Sequence, residues 1–374
     1  MKIALVHDYL AQDGGAERVL KSFHEIWPNA PIFVLFHDEK KITCFNQDNI
    51  KESFLARFPF IKNHFQWYLP FMPGATERHN LDGFDVVLSS TSAFAKGVIT
   101  SPSTLHISYC HTPARYLWSD AHNYISDLPH NRIVKMLLPR LISHLRLWDK
   151  MSADRVDHFI ANSKTVQNRI HKYYRRDSDV INPPVDFENF EISKNLGDYY
   201  VAGGRLVPYK NFDLLVYAFN RLGRPLKIFG IGPELKRLKK IAKPNIEFLG
   251  RIDDKTKSAL LAKSLAFIHP QVEDFGITPL EAMAAGRPVI AFAAGGATET
   301  VLPNETGVFF SEQKWESLFN TLLHFNPSIW EADKIRAHAS NFRKENFKSA
   351  MQEYVNHRFE EFKNGLRQPA LWRS

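Results

Sequence analysis

The chain reads as an α/β protein built from two doubly wound, Rossmann-like domains that face a central cleft. Three observations predict this. The length of 374 residues suits two domains of roughly 150–200 residues each. Short apolar, β-branched runs alternate with helical patterns, as in βαβ units with parallel sheets. The series of strands also breaks off near residue 186 and then restarts.

The first series of strands is "KIALVH", "PIFVLF", "DVVLSS", "LHISYC", "HFIANS" and "DVINPPV". The break falls in "NPPVDFENFEISKNLGD", where Pro183 and Pro184 end a strand and a polar stretch follows. The second series is "YYVAGG", "LKIFG", "IEFLG", "LAFIHP", "PVIAFA" and "GVFF", with helices such as "NFDLLVYAFNRL" and "TKSALLAKS" between them. A last helix is expected over Phe347 to Lys363. The expected domains are residues 1–188 and 189–344, with the terminal segment from about 345 to 374 joining the first.

Composition narrows the function. Hydrophobic residues make up 44% and charged residues 24%, which is ordinary for a globular protein. The net charge is +8, and Asn131 to Arg176 alone holds eleven Lys or Arg against three Asp, a surplus of the same size. An anionic partner fits that surplus. Two distant cysteines, Cys44 and Cys110, allow no disulfide framework or zinc spacing. The apolar run at the N-terminus is broken by His7 and Asp8, too early for a signal-peptide core. No run reaches the ~18 apolar residues that span a bilayer. The expectation is a cytoplasmic protein.

In open parallel sheets, ligands bind beyond the carboxyl ends of the strands. The residues there include His7-Asp8, Ser89-Ser90, His111, Gly203-Gly204-Arg205, Gln271 to Gly276 and Gly295-Gly296. Within "DGGAER", Gly14 and Gly15 precede a helix and allow close backbone approach to a phosphate or a sugar hydroxyl. This is not the full G-x-G-x-x-G fingerprint, which argues against a dinucleotide-dependent dehydrogenase. In "GGRLVPYKN", Arg205 and Lys210 flank a strand-end loop, two cations suited to a diphosphate, and Asn211 is placed to cap the next helix. His111 leaves a strand in "YCHTPARYLW".

In "EDFGITPLEAMAAGRPVIAF", Glu273 and Glu281 stand with seven residues between them. Thr278, Pro279 and Glu281 match a capping box, with Thr278 as N-cap. That accounts for Glu281 structurally and leaves Glu273 unexplained. The pair Asp177 and Asp179 precedes a strand and reads as a polar loop, so no metal site is expected. Asp253-Asp254 reads as a helix cap. The stretch "FLARFPFIKNHFQWYLPFMPG" and the basic "NRIVKMLLPRLISHLRLWDK" fit either an interfacial membrane surface or core packing with a solvated basic face.

Together, "EDFGITPLEAMAAGRPVIAF", "GGRLVPYKN", "NPPVD" and "GGAER" resemble glycosyltransferase family 4, retaining enzymes of the two-domain GT-B fold. The resemblance runs from Lys2 to about Gly307 and returns at the last helix. "HTPARYLW" and "GGATETV" are similar to bacterial mannosyltransferases of O-antigen and exopolysaccharide synthesis. The resemblance implies that Glu273 holds donor-sugar hydroxyls and that Phe275, Gly276, Ile277 and Thr278 supply backbone N–H groups. Glu281 would bind the ribose, and Gly204, Arg205 and Lys210 the diphosphate. Gly15 would approach phosphate or acceptor, and His111 the sugar beside the reacting carbon.

The substrates implied are a nucleotide-sugar donor, GDP-mannose before UDP-sugars, and a lipid-linked or glycan acceptor. The site implied is the inner face of the cytoplasmic membrane, with peripheral attachment to anionic lipid. No cofactor, metal or nucleic acid is expected. The alternatives are a UDP-sugar-dependent transferase and a non-catalytic sugar-nucleotide-binding subunit that recruits a partner to the membrane.

Overall fold

The computed structural model describes residues 1–12, 14–119, 121 and 132–367. It divides into two compact units, Met1–Asn182 with Phe347–Ser374, and Pro183–Asn346. The division lies at 182/183, within "NPPVD", slightly ahead of the position expected from the polar stretch.

The first unit is built on seven parallel strands: β1 (Ile3–His7), β2 (Ile32–Val34), β3 (Ile50–Glu52), β4 (Val86–Thr91), β5 (Leu105–Cys110), β6 (His158–Ala161) and β7 (Ser178–Val180). Their order is β3-β2-β1-β4-β5-β6-β7. The central strands are buried along their whole length, which is why they read as near-continuous apolar runs. Edge strand β3 went unpredicted, because "IKE" carries one apolar residue and is largely exposed.

The second unit has six parallel strands: β8 (Tyr200–Gly203), β9 (Leu226–Phe229), β10 (Ile246–Gly250), β11 (Phe267–His269), β12 (Val289–Phe292) and β13 (Gly307–Phe310). Their order is β10-β9-β8-β11-β12-β13. Both sheets therefore run outward in two directions from a switch point, β1/β4 in one and β8/β11 in the other. At such a point the connections diverge to opposite sides and leave a crevice beyond the carboxyl ends of the strands.

The last helix spans Lys344–Arg367, longer at both ends than expected. Phe347, Met351 and Val355 recur every four residues, so they share one face, and all three are buried. That face closes the core of the first unit. The ring of Phe347 stacks on Phe23 at 5.7 Å and meets Tyr109 edge-on at 5.8 Å. Phe347→Ala is expected to destabilise this unit by about 3–5 kcal/mol, read from a denaturant melt. A loss below ~1 kcal/mol would show that the helix is not part of this core.

Candidate functional site

Nine of the eleven residues singled out from the sequence lie in the second unit, and Gly15 and His111 lie in the first. Each group gathers at the switch point of its own sheet.

In the second unit, β8 ends at Gly203 and its loop carries Arg205 and Lys210. Strand β11 ends at His269 and leads through Pro270 and Gln271 to Glu273. The two loops meet where the Lys210 Nζ donates to Glu273 Oε1 at 2.6 Å. Gln271 Nε2 lies 3.4 Å from the same oxygen. Burial alone would raise the Glu273 pKa. The Lys210 ammonium, then His269 and hydrogen bonds from Lys210 and Gln271, outweigh it and pull the value down to about 2. The ion pair therefore stabilises this unit fully above the ordinary carboxylate range and is lost as pH falls towards 2. Arg205 is exposed on the same loop, with Nη2 3.5 Å from the Tyr209 hydroxyl.

The helix after Glu273 starts differently from the expected capping box. It spans Ile277–Ala284, its N-cap is Gly276, and no side chain caps it. Gly276 has φ +91°, a left-handed conformation that a residue with a Cβ adopts only with strain. That turn starts the helix two residues before Thr278, so Thr278 and Pro279 are already helical. Glu281 sits too far along to reach the N-cap and instead accepts from Lys257 Nζ at 2.8 Å, with its side chain 4% exposed. The N-cap, being glycine, offers no side-chain acceptor to the first N–H groups of the helix, and a helix start of this kind suits an anion. Asn211 also differs from expectation. It occupies the N-cap position of Phe212–Leu222, but its side chain donates to Tyr209 O at 3.2 Å and caps nothing. Asp253 caps as expected, accepting from Thr256 N at 2.6 Å.

The glycine pair after β12 fixes the Glu273 turn from behind. Gly296 N donates to Glu273 O at 2.8 Å. A Cβ on Gly296 would fall 2.3 Å from Phe275 Cα, so only glycine permits this approach. Phe275 itself is buried, 3% exposed, and anchors the turn in the core.

Two members of this group, Lys257 and His269, were not picked out from the sequence, and Gln271 was marked only by its place at the strand end. His269 is fully buried at the end of β11, neither ring nitrogen has a hydrogen-bond partner among the described residues, and Gln271 Oε1 is likewise unpartnered. Burial lowers the His269 pKa to about 4. The available signal was position, since both residues sit where β11 gives out at the switch point.

In the first unit, "DGGAER" opens the helix Gly15–Ile26, with Gly14 as N-cap. Glu17 Oε2 accepts from Gly14 N at 3.0 Å, which ties the helix start down. The other oxygen of Glu17 lies 4.0 Å from His7 Nε2, and both side chains are buried. His7 contacts Ser90, and Ser90 Oγ lies 2.8 Å from His111 Nε2. The backbone of His111 is held by its N–H to Thr91 O at 2.9 Å and by Asn162 Nδ2 on its carbonyl at 2.9 Å. Burial, with His7 alongside, lowers the His111 pKa to about 3. Asp8 has a structural task. Its two oxygens accept four backbone N–H groups, from Ser92, Ala93, Phe94 and Ala95, at 2.7–2.9 Å.

Asp179 is taken up by Tyr354 Oη at 2.8 Å and Arg358 Nη2 at 3.0 Å, which ties it to the last helix, while Asp177 is fully exposed with its carboxylate 4.0 Å from His171 Nδ1. The aromatic and basic stretches supply both buried and exposed side chains. Leu55, Ile61, Met72, Ile142 and Leu145 are buried in one cluster. Phe58, Phe60, Trp67, Phe71, Leu147 and Met151 are exposed. Among the described residues no helix is long and apolar enough to cross a membrane.

Two parallel sheets, each with loops gathered at its switch point, make the architecture of a two-domain glycosyltransferase, and comparison with known proteins gives the same class. The family model described as "Glycosyltransferase Family 4" matches residues 14–189, and "Glycosyl transferases group 1" matches residues 186–325. Together they take in most of the chain, and it belongs to this glycosyltransferase family.

Among its relatives, a GDP-mannose-dependent alpha-(1-6)-phosphatidylinositol monomannoside mannosyltransferase of Mycobacterium tuberculosis is 39% identical over 126 residues, 29% of this chain and 33% of that protein. The O-antigen chain mannosyltransferase RfbU of Salmonella typhimurium is 29% identical over 161 residues, 39% of this chain and 45% of that one. The chain spans about half the length of the curated relatives it matches. Its fold is that of HepE from Anabaena, solved in complex with UDP, with a TM-score of 0.70 and 19% identity over 96% of this chain and all of that one. The fold is therefore GT-B, two Rossmann-like units of parallel sheet.

Proposed function

We propose that this chain is a retaining glycosyltransferase that moves a sugar, mannose from GDP-mannose, to a lipid-linked glycan acceptor in cell-surface polysaccharide synthesis. The observation that carries the reading is the Lys210–Glu273 pair at the mouth of the helix Ile277–Ala284. Mannose and GDP are favoured by the mannosyltransferases among the relatives, one of them GDP-mannose-dependent.

In this reading Glu273 binds donor-sugar hydroxyls. Lys210 offers three N–H donors, so one given to Glu273 leaves others for the diphosphate beside Arg205, with Gly204 allowing the approach. The N–H groups from Phe275 to Thr278 add hydrogen bonds at the helix mouth. Glu281 takes the ribose hydroxyls, a carboxylate offering several acceptor sites. Gly15 lets the first unit's loop approach phosphate or acceptor, and His111 contacts the sugar beside the reacting carbon.

The chemistry follows from charge. The bond from the anomeric carbon to the β-phosphate oxygen breaks, leaving positive character on the sugar and negative charge on the diphosphate. Arg205, Lys210 and the helix N–H groups are placed to meet that charge without reorganising, which lowers the barrier. The acceptor oxygen bonds the anomeric carbon from the same face, and its proton passes to the leaving phosphate. No metal ion enters this scheme.

Thermal shift against a panel of nucleotide sugars tests the donor, because a ligand that binds the folded state raises its melting point. GDP-mannose is expected to give the largest rise; a rise with UDP-sugars and none with GDP-mannose would overturn the donor assignment. The pH profile tests the site. Glu273 at about 2, His111 at about 3 and His269 at about 4 all titrate below pH 5, so above it the carboxylate stays charged and both rings stay neutral. None should place an inflection in turnover between pH 5 and 8. An inflection there that His111→Gln removes would contradict this.

Attachment to the cytoplasmic membrane face rests on Phe58, Phe60, Trp67 and Phe71, exposed beside Arg57 and Lys62. Aromatic side chains enter the interface while basic ones meet anionic headgroups. Sedimentation with phosphatidylglycerol vesicles should show binding that weakens with salt and with Trp67→Ser. Equal partition into neutral vesicles would refute the electrostatic part.

A further inference from the structure

His7 ends β1, and Ser90 lies opposite it in β4. His111 follows β5, the next strand over. The Ser90 hydroxyl thus stands between two imidazoles, 3.1 Å from His7 Nδ1 and 2.8 Å from His111 Nε2. His7 Nδ1 also lies 3.1 Å from the Ser90 carbonyl oxygen. A carbonyl can only accept, so His7 Nδ1 must carry the proton. The Ser90 oxygen then accepts from that same N–H. Ser90 is fully buried, and among the described residues its single hydroxyl proton has one remaining acceptor, the His111 Nε2. A bare Nε2 puts the ring proton of neutral His111 on Nδ1.

The reverse order fails on elementary grounds. A His7 Nδ1 without its proton would point a lone pair at the Ser90 carbonyl. The Ser90 hydroxyl could still serve both rings in that order, but the Ser90 carbonyl at 3.1 Å would face a lone pair where it now meets a donor, and that contact decides between the two orders. At the far end, the His7 Nε2 faces Glu17 Oε1 at 4.0 Å. At 4.0 Å it is beyond hydrogen-bond reach, so the proton on His7 Nδ1 is assigned by the Ser90 carbonyl.

We propose that Ser90 and His7 are positioning residues that hold His111 in its Nδ1–H tautomer, so that His111 offers a substrate oxygen a hydrogen-bond donor and not a base. His111 Nδ1 has no partner among the described residues, and the residue is only partly buried. The lowered pKa of His111 agrees, because a neutral ring has a tautomer to be chosen. The consequence for transfer rests on the reading of His111 as a contact of the donor sugar. The tautomer itself does not.

The test is ¹⁵N spectroscopy of full-length protein labelled at histidine, with His111 assigned by its loss in His111→Gln. Near pH 7 the wild-type His111 should show Nδ1 in the protonated range and Nε2 in the unprotonated range. Ser90→Ala should move the signals towards the Nε2–H form, and Ser90→Thr, which keeps the hydroxyl, should restore them. Ser90→Ala should also slow transfer by roughly fivefold to twentyfold with little change in donor KM, and Ser90→Thr should recover most of the rate.

A wild-type His111 protonated on Nε2 would overturn the proposal. So would an unchanged tautomer in a folded Ser90→Ala protein. If Ser90→Ala unfolds, the wild-type spectrum alone still decides the matter. Should the tautomer be as stated while His111→Gln transfers at the wild-type rate, the positioning stands and the substrate contact of His111 falls.

Discussion

Glu273→Gln is expected to reduce sugar transfer on the order of a hundredfold to a thousandfold and to leave the fold intact. The carboxylate is held ionised by Lys210 at 2.6 Å. An amide of the same shape keeps one oxygen but loses the charge, and it presents N–H donors where acceptors stood. In the proposed reading two losses follow. Donor-sugar hydroxyls lose a charge-assisted acceptor, a contact of about 1.5–3 kcal/mol. Lys210 also loses the partner that fixes its ammonium beside the diphosphate. Both contacts act on charge that grows as the bond breaks, so the loss belongs in the rate and less in donor KM. At about 1.4 kcal/mol per decade, a combined loss of about 3–4 kcal/mol gives the range stated. Steady-state kinetics with a melting curve checks this, and full activity in a folded Glu273→Gln protein would remove Glu273 from the site.

Asp8 carries the second large effect, on stability. Its oxygens accept four backbone N–H groups of the loop after β4, and the side chain is buried. Asp8→Ala leaves all four without a partner. Each buried unsatisfied N–H costs about 1–3 kcal/mol, and even with relaxation the total should reach ~3 kcal/mol or more. Asp8→Asn is no remedy. Its NH₂ would point at two of the N–H donors, so it should be nearly as destabilising despite its shape. For a unit of this size, that is a fall of roughly 6–12 °C in melting temperature. Hydrogen exchange should rise first across Ser92–Ala95. A change below ~1 kcal/mol for both variants would mean that the loop holds itself.

The contrast between these two residues shows what the sequence exposed. Glu273 was visible because the Glu-x7-Glu spacing follows a strand and meets a helix start. Asp8 stood at a strand end too, but its work depends on a loop more than eighty residues away, which no local pattern reports. The central strands were legible because parallel strands covered on both faces must be apolar throughout. Strand β3 was not, since an exposed edge of three residues has no such demand. The helix after Glu273 was found with its start misplaced. Thr278-Pro279 matches a capping signature, yet the positive φ of Gly276 begins the helix earlier, and that conformation is a property of the folded turn. His269 looked like the end of an apolar strand, and Lys257 like a solvated residue of "TKSALLAKS". Only the folded arrangement shows one with ring nitrogens that have no hydrogen-bond partner among the described residues, and the other buried against Glu281.

The most direct test of the transferase reading follows transfer from GDP-mannose to a lipid-linked glycan acceptor by NMR, in excess chelator. The account predicts that the product keeps the donor's anomeric configuration. It also predicts a rate unchanged by chelator and lowered about tenfold to a hundredfold in Lys210→Ala, since that ammonium meets the charge of the leaving diphosphate. Loss of activity in chelator with recovery on adding Mn²⁺ or Mg²⁺, or a product of inverted configuration, would contradict it.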